Sequence, residues 1–215
     1  MVEEAPQTKT TGRQLPPWSP GLSLTPSRWP DVLSASLGPN SQVAFGNQGL
    51  GGNCVLSECL GFNAVSRIDR DVLAQSGVTH AMIFEGVNDI GGGNAAPDVQ
   101  KAIGDNLINA FKQFITRAHA AGLPAIGATI TPFGGSFYDE ATGERLKTRS
   151  RVNDWIKRTS AANGGFDYVA DFDAAVRDPK NTTALKKEFD SGDGLHPSVA
   201  AYTAFAAAFP VAAFA

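Results

Sequence analysis

Asp193-Gly194-Leu195-His196 places a carboxylate and an imidazole three residues apart, close enough to share one turn of backbone. Imidazole takes and returns a proton near neutrality, and a carboxylate on its second ring nitrogen fixes tautomer and orientation. The bland alternative is a loop histidine ahead of Pro197. A second candidate is Gly46-Asn47-Gln48-Gly49-Leu50-Gly51-Gly52-Asn53, so rich in glycine that its N–H groups can approach an oxyanion or a phosphate closely. It lacks the Lys-Ser/Thr of a P-loop and a clean G-x-G-x-x-G, so nucleotide binding is the weaker reading and a plain tight turn remains open. The third is Glu85-Gly86-Val87-Asn88-Asp89-Ile90, directly behind an apolar run. A side-chain amide there can aim N–H at developing negative charge, as in an oxyanion hole, although Asn-Asp equally serves as a turn former. His80, at the start of an expected strand, and His119, on an expected helix, read as structural.

Those residues need elements to hold them. Short apolar runs at Gln42–Phe45, His80–Phe84, Ala125–Ile130 and Tyr168–Phe172 read as strands. Helical stretches are expected over 29–37, Asn63–Ala74, Asp98–Ala121, Thr148–Asn163 and 198–208. Strands alternating with helices imply right-handed βαβ units and an α/β fold, its parallel sheet covered on both faces. In such sheets ligands sit at the carboxyl ends of strands, where all three candidate segments fall. Residues 1–27 differ: Pro6, Pro16, Pro17, Pro20 and Pro26 punctuate a polar stretch that reads as an irregular or disordered arm, leaving one domain over 28–215.

Composition narrows the function. Hydrophobic residues make up 42% of the 215 and charged residues 18%, ample for a buried core. A net charge of −3 gives no drive toward nucleic acid, and no apolar run is long enough to span a membrane. The amino terminus has neither a basic start nor an apolar stretch, so no secretory signal is read in this chain. Cys54 and Cys59 are too few and too close for a zinc site, and two ordinary thiols or a local disulfide both fit. No metal is expected.

Taken together and in order, Asn47-x-x-x-x-Gly52, Gly86-Val87-Asn88-Asp89 and Asp193-Gly194-Leu195-His196 resemble the GDSL or SGNH hydrolases, which are esterases and acylhydrolases. Arg28-Trp29-Pro30-Asp31, Gly51-Gly52-Asn53 and Phe62-Asn63-Ala64 are similar to the secreted bacterial and fungal branch, and the resemblance covers about residues 28–210. It implies a three-layer α/β/α sandwich with a flavodoxin-like sheet. It also implies a Ser-His-Asp mechanism without cofactor, on a small acyl ester or acetylated carbohydrate. A monomer is expected. By the same resemblance His196 is the base, Asp193 its orienting acid, and Gly52 and Asn88 the oxyanion donors. Gly86 and Asp89 belong with the pocket. So does Phe133, in the loop Thr131–Tyr138 behind an expected strand, unless that loop only packs.

The family's first block, an apolar strand followed by Gly-Asp-Ser, is not found in this chain. The nearest echo is Gly21-Leu22-Ser23-Leu24-Thr25, which makes Ser23 the candidate nucleophile, but Pro16, Pro17 and Pro20 occupy the expected strand and remove ladder donors. The sheet is therefore expected to lack its first strand. Either the chain is a truncated or misread form of an active hydrolase, or it is a noncatalytic ligand-binding relative. The intact acid–base and oxyanion elements favour the former, and the chain as written is expected to be poorly soluble or nearly inactive.

Overall fold

The computed structural model of the protein describes the backbone of Val2–Glu3 and residues 28–214. Strand β1 (Val2–Glu3) is followed by helices α1 (Trp29–Ser36) and α2 (Ala64–Ile68), and then by strand β2 (Ala81–Phe84). Helices α3 (Val87–Gly92) and α4 (Pro97–Ala120) lead to β3 (Ala125–Ala128), and α5 (Glu144–Arg158) leads to β4 (Tyr168–Ala170). Helices α6 (Phe172–Val176) and α7 (Val199–Ala208) complete the order. The strands form one parallel sheet in the order β1-β2-β3-β4, with Val2 opposite Ile83, Ala81 opposite Ala125 and Ile126 opposite Tyr168.

Side chains alternate across this sheet with the period of two that a strand imposes. Ala81, Ile83 and Ala125 belong to a core formed with Leu107, Phe111, Phe114, Val152 and Ile156 of α4 and α5. Met82, Ile126 and Ala128 face the other way, toward Trp29, Leu33, Phe172, Tyr202 and Phe205 of α1, α6 and α7. Both faces being apolar, both must be covered, and the result is the three-layer α/β/α arrangement. On the second face Phe172 stacks on Phe205 with ring centroids 4.5 Å apart and meets Trp29 edge-on at 5.2 Å. No helix among the described residues is long and apolar enough to cross a membrane.

Several elements differ from the sequence reading. Gln42–Phe45 is not a strand: the Val43 N–H donates to Ser41 Oγ at 3.1 Å, and no neighbouring strand among the described residues offers it a ladder. The helix expected at 148–163 starts at Glu144 and stops at Arg158, because Thr159 turns extended and the Ser160 carbonyl accepts from Asn163 and Gly165 instead. Within the arm, Val2–Glu3 pair with the free edge of β2 rather than being irregular, which gives the sheet a two-residue first strand. The remainder of that arm, including the prolines at 6, 16, 17, 20 and 26 and Ser23, lies outside the described residues.

Candidate functional site

Gly86 ends the loop behind β2 with φ of +116°, a left-handed conformation that favours glycine, and a Cβ there would sit 3.1 Å from Ile130 Cδ1. That turn starts α3 immediately, so Asn88 and Asp89 lie in the first turn of a helix instead of the plain turn also considered for them. From there Asn88 Nδ2 donates to the Asn53 carbonyl at 2.8 Å, and Asn88 Oδ1 accepts from the Tyr138 hydroxyl at 2.8 Å. The Asp89 carboxyl accepts the Val55 N–H at 2.9 Å and the Leu56 N–H at 2.9 Å. Burial pushes the Asp89 carboxyl above its ordinary range, and the Val55 and Leu56 N–H groups only partly oppose this.

The glycine loop is secured from beneath by Arg67, only 2% exposed on α2. Arg67 donates to the Gln48 carbonyl at 2.6 Å and to Asn53 Oδ1 at 2.8 Å, pairs with Asp71 at 3.2 Å and lies 3.8 Å from Glu85. The same Asn53 donates from Nδ2 to the Phe62 carbonyl at 3.0 Å. Cys54 and Cys59 form a disulfide with Cα atoms 5.7 Å apart, which closes the segment that Asp89 grips. Gly52 has φ of +73°, and Leu60 leans so close that a Cβ on Gly52 would be 2.5 Å from Leu60 Cδ1.

Asp193 and His196 lie on the turn ahead of α7, which Ser198 caps by accepting the Ala201 N–H. His196 Nδ1 and Asp193 Oδ2 are 2.6 Å apart, while Asp193 Oδ1 accepts the N–H groups of His196 at 2.9 Å and Leu195 at 3.1 Å. Burial alone would raise the Asp193 carboxyl, but the hydrogen bonds from the His196 N–H, the His196 ring and the Leu195 N–H together hold it down at about 2. An ionised carboxylate can only accept, so His196 Nδ1 carries a proton, and in the neutral imidazole this leaves the lone pair on Nε2. The His196 side chain is 26% exposed, enough to meet a solute. Asp190 organises the turn, its Oδ1 accepting from Gly192 at 2.9 Å, Asp193 at 3.2 Å and Gly194 at 2.9 Å.

One loop touches both halves. Gly194, with φ of +74°, packs so that a Cβ would lie 3.0 Å from the Ser136 nitrogen, and two residues beyond Ser136 is Tyr138, the partner of Asn88.

This geometry can be set against known proteins. The model of the GDSL-like lipase/acylhydrolase family matches residues 10–204. The chain belongs to that family. Among solved structures, a member of the lipolytic protein G-D-S-L family from Veillonella parvula DSM 2008 superposes with a TM-score of 0.57 and 20% identity, covering 87% of this chain and 88% of that one. LAE5, an alpha/beta hydrolase enzyme from the metagenome of Lake Arreo, Spain, gives 0.60 and 18%, over 87% and 81%. Axe2, an acetylxylan esterase from Geobacillus stearothermophilus, gives 0.52 and 20%, over 78% and 70%. No curated protein matches the sequence.

For this GDSL-family chain, the residues expected from sequence separate into two groups. Asn88 and Asp89 are hydrogen-bonded to the segment that follows Gly52, at Asn53 and Val55, and Asp193 and His196 form a contact pair. Phe133 is 0% exposed and packs in the core with Ile130 and Leu195, while Phe137 is 69% exposed. Ser23 lies outside the described residues. His80 and His119 are tied up elsewhere, by the Ala213 carbonyl at 2.7 Å and by Asp167 at 2.7 Å. Sequence reasoning missed Arg67, and it named Asn53 and Tyr138 only as parts of candidate loops, without the bonds they make to Asn88. Asp71, one helical turn beyond Arg67, was the one available hint for the first, and an aromatic loop behind β3 for the last.

Proposed function

We propose that the chain is an ester hydrolase of the Ser-His-Asp type acting on a small acyl ester, with acetylated carbohydrate the favoured class. The observation that carries this reading is the 2.6 Å contact of His196 Nδ1 with an Asp193 carboxylate held at about 2, which leaves Nε2 as a ready base. In this mechanism a serine hydroxyl gives its proton to Nε2 as its oxygen attacks the ester carbonyl. Asp193 stabilises the imidazolium, and the Gly52 N–H and the Asn88 amide take the charge on the tetrahedral oxygen. The proton then passes from His196 to the departing alkoxide, and water repeats the sequence to release the acid. Ser23 is the nucleophile its sequence context offers, and because Pro16, Pro17 and Pro20 stand where the family has the strand that holds its serine, low turnover is expected.

The test is a panel of acetyl, butyryl and long-chain esters with acetylated oligosaccharides, run on the full chain and on Ser23→Ala and His196→Ala. Loss of turnover in both variants supports the reading. A second reading, a noncatalytic ligand-binding module on the same fold, is favoured by the lack of Gly-Asp-Ser anywhere in the sequence. It predicts binding of acetylated oligosaccharide without turnover.

A further inference from the structure

An oxyanion donor is useful only if its N–H is aimed before charge develops, since reorganising it during reaction would consume the stabilisation. Asn88 has a primary amide that can rotate about its last side-chain bond, so something must hold it. The Asn53 carbonyl can only accept and therefore takes the nitrogen end, at 2.8 Å. At the oxygen end, Oδ1 can only accept, so the Tyr138 hydroxyl at 2.8 Å is the donor. Donation to an amide oxygen draws electron density from nitrogen and strengthens the N–H groups as donors.

Tyr138 is itself held on several sides. Its ring lies over Gly91 on α3, where a Cβ would run into the ring, and it meets Phe133 edge-on at 6.3 Å and Phe137 at 4.4 Å. Its N–H donates to Ser136 Oγ at 3.1 Å, and its carbonyl accepts from Arg145 at 3.2 Å. Gly135 and Ser136 of the same loop abut Gly194, inside the turn that carries Asp193 and His196.

We infer that Tyr138 is a positioning residue: its hydroxyl orients and polarises the Asn88 amide, and its loop keeps that amide in register with the His196 turn. The inference rests on the oxyanion role proposed for Asn88. Tyr138 makes no bond to the reacting atoms in this scheme and acts only through Asn88.

Tyr138→Phe keeps the ring and removes the hydroxyl. It should lower kcat by about 3- to 10-fold with KM unchanged, the scale of one lost hydrogen bond. In the Asn88→Ala background the same change should have no further effect. Gly91→Ala, which pushes a methyl into the ring, should reproduce the kcat loss. Independently of turnover, the side-chain amide resonances of Asn88 in a 15N-labelled chain should shift in Tyr138→Phe. Full kcat in Asn88→Ala would overturn the oxyanion reading. An effect of Asn88→Ala together with additive losses from Tyr138→Phe, a KM effect alone, or unshifted Asn88 resonances would overturn the role of Tyr138 and leave that of Asn88 standing.

Discussion

The two halves of the site are built in opposite ways. The Asp193–His196 turn is local, since every hydrogen bond described within it joins residues between Asp190 and His196. The glycine-loop side is assembled from distant pieces: Asn53 to Arg67, Asn88 to Asn53, Asp89 to Val55 and Leu56, and Tyr138 to Asn88. A turn that satisfies itself can be partly exposed at little cost. A network of buried polar groups is stable only when complete, because each unpaired member loses its hydration without return. Damage to the first region should therefore appear in turnover, and damage to the second in folding as well.

The largest expected effect is catalytic. His196→Ala or Asp193→Ala should lower turnover by roughly 10²–10⁴, with the melting temperature nearly unchanged in His196→Ala and lowered in Asp193→Ala, where the Leu195 and His196 N–H groups lose their acceptor, and the double variant should not multiply the losses in turnover. Steady-state ester hydrolysis with parallel thermal denaturation checks this, and multiplicative losses would mean the two do not act as a unit.

Next comes Arg67→Met. It leaves Glu85, Asn53 and the Gln48 carbonyl without their cation and should cost about 3–5 kcal/mol of stability in urea unfolding. A change of under ~1 kcal/mol would show that the network relaxes around the gap.

Asn88→Ala belongs to both regimes. A fall in kcat on the order of 10²-fold is expected from the oxyanion role. A loss of about 1–2 kcal/mol should accompany it, because the Asn53 carbonyl and the Tyr138 hydroxyl lose a partner.

The smallest effect separates the regions by the sign of their pH response. Buried Asp89 holds its proton more tightly folded than unfolded, so its contribution is full below the ordinary 3.8 and lost as pH rises through the raised value. Asp193 is shifted the other way, so its contribution is full above 3.8 and lost as pH falls toward about 2. Asp89→Asn should remove the first dependence and Asp193→Asn the second, as read from urea midpoints across that range. Parallel profiles for the two variants would contradict the contrast.

The same contrast explains what could be read from sequence. Asp193 and His196 were legible because their geometry is set by a separation of three, and Trp29–Ser36 and Pro97–Ala120 because apolar residues recur at helical spacing. The parallel sheet followed from strand–helix alternation. Arg67 was not legible: an arginine on a short helix looks solvent-facing until the fold places the Gln48 carbonyl and Asn53 around it. Tyr138 pairs with a residue 50 positions earlier, a distance at which no local pattern speaks. Gln42–Phe45 has strand-like composition, but strand formation depends on a neighbour that composition does not reveal.

The most direct test is hydrolysis of a short acyl ester by residues 1–215, compared with Ser23→Ala and His196→Ala under identical conditions. Measurable turnover in the unsubstituted chain, reduced at least ~10²-fold by each substitution in chains that still fold, is the predicted result. Turnover that survives His196→Ala, or none in a folded, unsubstituted chain that still binds acetylated oligosaccharide, would contradict it.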